Sequence, residues 1–164
     1  MHLLEKVRTK DDPDPKALAC YGLLLRNVAP TPDQVWLRFA TGQPVSDLTT
    51  QFLAWCCDQL TALGKRTLVL IWDNASWHKS QKVRTWIRDH NRQVKCTGQG
   101  VRLLVFFLPT KSPWLNPIEP KWVHGKRAVA EPQRTLSAAE LEERVYAYYG
   151  CASEPHLTIA QEPT

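Results

Sequence analysis

No stretch of this sequence is long and apolar enough to cross a membrane: runs such as LVLIW and LLVFFL fall well short of the roughly 20 residues such a helix needs. The first residues, MHLLEKVRTKDDPDPK, lack a long apolar segment followed by small side chains, so they are not a secretory signal. A cytoplasmic protein with no membrane partner is expected. The five cysteines, Cys20, Cys56, Cys57, Cys96 and Cys151, form no CxxC pair and sit mainly in apolar segments. That argues for buried thiols and against disulfides or a thiolate metal site. There is no internal repeat, and linker-like composition is confined to DDPDP, to TGQG at 97–100, and to the polar tail after Gly150.

What remains is 164 residues, 43% of them hydrophobic, enough for one domain with its own core. The net charge of +5 is unevenly placed: residues 65–134 hold fourteen Lys and Arg against four acids, a local +10, while the flanks are acidic. Such a stretch is either a solvated face or the footprint of a polyanion.

The hydrophobic pattern alternates between strand and helix. KALACYGLLLR and QVWLRFATG read as strands, and Ser46 is placed to cap a helix with the inward stripe Phe52, Trp55, Cys56, Leu60 and Leu63, ended by Gly64. RTLVLIW is apolar on consecutive positions, as in a central strand covered on both faces. A helix over about Ser80 to Asn91 turns Val83, Trp86 and Ile87 inward and Arg84, Arg88 and Arg92 outward. VRLLVFFLP reads as a second buried strand, a helix follows Asn116, and SAAELEERVYAYYG is a final helix opened by a capping box of Ser137 and Glu140. The pattern predicts an α/β layering around one sheet.

Asp73 follows the strand LVLIW directly, and VRLLVFFL runs into the Pro-rich PTKSPWLNPIEPKW, which carries Glu119. In an open α/β sheet the carboxyl ends of neighbouring strands share a crevice, which would bring the two acids to one site. Each acid also has a purely structural explanation. Asp73 suits an Asx turn, and with Asn116 as N-cap and Pro117 at the first helical position, Glu119 falls where a capping-box acid belongs.

Together, DNASWHKS and LPTKSPWLNPIEPKW resemble the second and third acidic motifs of the mariner-related insertion-sequence transposases, the DDE superfamily endonucleases. The likeness spans roughly residues 17–130. It implies a ribonuclease-H-like mixed sheet flanked by helices, with Asp73 and Glu119 as carboxylates holding Mg²⁺ or Mn²⁺. The implied reaction is DNA cleavage and strand transfer, for which paired hard cations clamp the attacking and leaving oxygens. With that likeness, Lys79, Arg84, Arg88, Arg92 and Lys121 are expected to meet DNA and Asn74, His78 and Asn116 to support the acids. Asn74 either orients Asp73 or merely satisfies the turn, and His78 either touches phosphate or a metal-bound water or is a simple polar contact at the helix entry.

Two departures from the family pattern stand out. The first acid belongs on the strand before KALACYGLLL, yet Asp11, Asp12 and Asp14 lie in Pro-broken DDPDP and are not assigned to it. The sheet is therefore expected to miss its first strand and to leave open edges. The upstream helix-turn-helix region is also missing, and the spacing from Asp73 to Glu119 is lengthened, with CTGQG as the insertion. On this reading residues 1–16 are an extended remnant, 17–150 a partial catalytic domain and 151–164 a polar tail. Its partners are DNA, an upstream polypeptide supplying the first Asp, and a second copy of the chain. Trp114 and Trp122 are expected to pack against the following helix rather than stack on bases. Three functions compete: a transposase completed in trans, an inactive remnant that binds DNA, and a non-catalytic basic module whose acids are structural.

Overall fold

LACYGLLL and QVWLRFAT are joined residue for residue, Leu18 opposite Thr41 and Leu25 opposite Gln34, as strands β2 (Leu18–Leu25) and β3 (Gln34–Thr41) of an antiparallel sheet. The computed structural model describes residues 2–4, 18–26, 32–42 and 45–158. It divides the chain into two compact units, one drawing on Met1–Pro44 and Pro117–Thr158, the other built on Val45–Asn116. The sequence pattern predicts one sheet. Among the described residues there are two, one in each unit.

In the first unit a three-residue strand, β1 (His2–Leu4), pairs antiparallel with the start of β2, His2 opposite Cys20. The edge expected to stand open is thus partly covered. Asp11, Asp12 and Asp14 lie outside the described residues. Helices α4 (Ile118–Val129) and α5 (Ala138–Tyr149) complete this unit. Leu18, Cys20, Leu37 and Phe39 form a core with Ile118, Trp122, Val129, Val145 and Tyr146. Each large side chain so buried contributes about 1.5–3 kcal/mol. Gly22 is required here, because the ring of Trp122 lies where a Cβ would stand. Ser137 accepts from the Glu140 N–H while Glu140 reaches back to the Ser137 N–H, the capping box read from the sequence. Residues after Gly150 are more than a polar tail: Cys151 Sγ contacts the Val35 carbonyl, Arg38 donates to the Pro155 carbonyl, and Leu157, itself buried, bonds through its N–H to Phe39.

The second unit runs α1 (Ser46–Ala62), β4 (Thr67–Trp72), α2 (Ser76–Lys79), α3 (Gln81–Thr97) and β5 (Arg102–Phe107). Extended Val45, not Ser46, holds the cap position of α1. Phe52, Cys56 and Leu60 are buried as the stripe predicts, but Trp55 is half-buried and Leu63, past the last turn, is exposed. Strands β4 and β5 are parallel, in register from Thr67 and Arg102 to Trp72 and Phe107. Leu68, Leu70, Trp72 and Leu103 are buried, whereas Val69 and Ile71 are each 55% exposed. The expectation of a strand covered on both faces is therefore corrected: β4 alternates, as does a strand with one packed face. The far edge of β5 is closed by Asn91, whose amide exchanges two 2.8 Å bonds with the Leu103 backbone as a neighbouring strand would.

Candidate functional site

Strand β4 delivers its carboxyl end to a tight turn. The Leu108 N–H bonds to the Trp72 carbonyl at 2.9 Å and the Asn74 amide to the Leu108 carbonyl at 2.6 Å, so the ends of β4 and β5 are tied together where Asp73 begins. The chain then folds back into α2. Asp73 Oδ1 accepts the Ala75 N–H at 3.0 Å, the Asx turn that its sequence position suggests, and also the His78 Nδ1–H at 2.8 Å. The His78 bond, and behind it the Ala75 N–H, hold the Asp73 carboxyl down to about 2 against the desolvation that pushes it up. Asp73 is therefore a carboxylate near neutral pH. Its side chain is 38% exposed, and both hydrogen bonds fall on Oδ1.

His78 thus bonds directly to Asp73, whereas the Asn74 amide goes to the Leu108 carbonyl and satisfies the turn. The His78 side chain is 9% exposed and its ring lies flat on Trp72, ring centroids 4.5 Å apart at 6°. No periodicity announces this contact, since it depends on the turn at Ala75 bringing residue 78 back over residue 73.

Ser80 caps α3 by accepting the Val83 N–H, and Gly98, with φ 67°, ends it. The helix outruns its predicted end at Asn91 and absorbs Cys96 and Thr97 of CTGQG, stopping at Gly98 because a glycine in the left-handed region is a natural stop. Val83 is buried, Trp86 and Ile87 are half-buried, and Arg84, Arg88 and Arg92 are exposed together, with Arg88 Nε 3.5 Å from Asp89. Lys79 is exposed at the end of α2.

Glu119 and Lys121 belong to the other unit. Pro117, not the buried and extended Asn116, holds the cap position of α4, and there is no side-chain cap bond there, so half-buried Glu119 lies in the first turn of the helix but not in the expected capping box. A carboxylate there is favoured by the helix dipole. Lys121 is exposed. Of the two tryptophans expected to be buried, Trp122 is 3% exposed, but Trp114 is 75% exposed, because the loop that carries it turns it away from the core of its unit. The cysteines are all free, and of these Cys96 is exposed rather than buried. Among the described residues no three His, Cys, Asp or Glu side chains gather as a metal site. The same residues include no helix long and apolar enough to cross a membrane.

The donor chemistry at Asp73 suits a hard cation. The group is ionised and partly exposed, and among the described residues its Oδ2 makes no hydrogen bond.

Comparison with curated proteins and with solved structures gives no match. The model of one family, the DDE superfamily endonucleases, matches residues 41–142, more than half of the chain, and the span contains Asp73, the α3 arginines and Glu119. This chain belongs to the DDE superfamily endonuclease family.

Proposed function

We propose that the chain serves as a transposase of mariner-related, bacterial insertion-sequence type, cutting and joining DNA in a metal-dependent reaction. The observation that carries this reading is the state of Asp73: an ionised carboxylate at the end of a parallel strand, one oxygen fixed by the protein and the other without a hydrogen bond among the described residues. The likeness of LPTKSPWLNPIEPKW to an acidic motif of the family supports Glu119, in the first turn of α4, as the second acid.

Asp73 and Glu119 would hold Mg²⁺ or Mn²⁺. When bound, these cations offset charge on the oxygens of a phosphodiester undergoing in-line displacement. Both acids position the cations; neither becomes a nucleophile. Arg84, Arg88, Arg92 and Lys79 offer exposed cations from one unit and Lys121 from the other, as groups that neutralise phosphates. An upstream polypeptide supplies the first Asp. The chain acts in the cytoplasm on transposon ends and target DNA, and as a homodimer.

Nicking of supercoiled plasmid in Mg²⁺ or Mn²⁺ tests the proposal. The chain alone should be inactive, because a two-metal clamp needs a third ligand. Mixed with the upstream polypeptide it should nick, and Asp73→Ala or Glu119→Ala should abolish that activity. Nicking that survives both substitutions would overturn the assignment of the acids.

A further inference from the structure

A carboxylate only accepts hydrogen bonds, so the 2.8 Å contact between His78 and Asp73 fixes the proton of the imidazole on Nδ1. The ring has little freedom. Trp72 lies parallel against one face at 4.5 Å, the edge of Trp77 approaches at 6.0 Å and 77°, and the His78 N–H is bonded to the Ala75 carbonyl at 3.0 Å. The Ala75 N–H reaches the same Oδ1 at 3.0 Å. Two donors from a rigid turn therefore fix one oxygen of Asp73 and, with it, the direction of the other.

We infer that His78 is a positioning residue for Asp73, committing Oδ1 to the protein so that Oδ2 alone meets a divalent cation. The inference rests on the metal-holding role proposed for Asp73 and adds how that role is enforced. If the site needed only a flat group against Trp72, a phenylalanine would serve. The imidazole instead presents an N–H to the acid from a buried position, where an unpaired donor would be costly. Partners of this kind orient carboxylate ligands, and their loss typically weakens metal affinity by about 10–100-fold.

Two amides separate the donor from the bulk of the ring. Counted in bonds from Cβ, the amide nitrogen of Asn stands where Nδ1 does and that of Gln where Nε2 does. In calorimetric Mn²⁺ titrations of the full chain, His78→Gln should bind about 10–100-fold more weakly than wild type, while His78→Asn should stay within about threefold of it. Equal affinities for the two amides would overturn the positioning role, provided that Asp73→Asn still abolishes binding. If Asp73→Asn binds as wild type does, the metal role of Asp73 fails and the positioning role falls with it.

A measurement on the unaltered chain covers variants that do not fold. The ring nitrogens of His78 in a long-range ¹⁵N–¹H spectrum should show the Nδ1–H form, and the Nδ1 proton should shift when Mg²⁺ is added. An Nε2–H tautomer, or a resonance indifferent to Mg²⁺, would contradict the inference.

Discussion

Replacing Arg84, Arg88 and Arg92 together by alanine should flatten the salt dependence of duplex binding and leave the fold intact. The three lie at spacings of four along α3, all exposed, so they span roughly 12 Å of helix at about 1.5 Å per residue. A duplex presents about one phosphate charge per 1.7 Å, so the stripe has enough partners within reach. Each neutralised phosphate adds about 0.9 to the slope of log affinity against log salt, and three add about 2.7. Between about 50 and 200 mM salt that slope corresponds to roughly a 40-fold loss of affinity. Asp89, 3.5 Å from Arg88, already neutralises part of that charge. Counting only Arg84 and Arg92 gives a slope of about 1.8, or roughly a 12-fold loss over the same range. Filter binding of a duplex by wild type and triple variant at four or five salt concentrations measures the difference directly. Arginine and alanine are both good helix formers, so the melting temperature should hardly move and serves as the control. An unchanged slope with an intact melt would remove the stripe from the DNA interface.

Three further outcomes follow from the first unit. Gly22→Ala would push a methyl group into the Trp122 ring and the Leu37 side chain, both buried, and should lower stability by about 1–3 kcal/mol in urea unfolding; an unchanged midpoint would show that the ring does not lie across β2. Ser137→Ala removes the acceptor of the Glu140 N–H and should cost about 1 kcal/mol, read from the same titration, whereas no loss would deny the cap its role. Arg134, with the Ser137 N–H behind it, holds the Glu140 carboxyl at about 2, below its ordinary 4.5. A depressed acid stabilises the fold above the higher value and loses that contribution as pH falls towards the lower one. Glu140→Gln should therefore flatten the fall in melting temperature between these two pH values, and an unaltered acid limb would contradict the pairing.

Local chemistry was legible where the controlling partner is near in sequence. The capping box of Ser137 and Glu140, the strands LACYGLLL and QVWLRFAT, and the outward arginines of α3 all depend on neighbours within a few positions or on simple periodicity. The end of α3 was misplaced although Val94 continues its apolar spacing and Gly98 marks the stop, because TGQG had the composition of a linker. Exposure was harder to read. LVLIW is apolar throughout, yet whether Val69 and Ile71 are covered depends on what packs against the second face of the sheet, which no local pattern encodes. Trp114 failed for the same reason, since loop direction decides its burial. At the candidate site Asp73 and Glu119 were visible through their motifs, and the turn at Asp73 through its place at a strand end. The closure of His78 onto Asp73 and Trp72 was not, because it is a product of the folded turn.

Asp73 and Glu119 are proposed to bind metal rather than to serve only as a turn residue and a helix-end acid. Calorimetric titration of Mn²⁺ into wild type, Asp73→Asn and Glu119→Gln, each shown by its thermal melt to be folded, tests it most directly. The account predicts weak binding by wild type that is lost in both variants. Equal Mn²⁺ binding by all three proteins would contradict it and leave Asp73 as a turn residue and Glu119 as a helix-end acid.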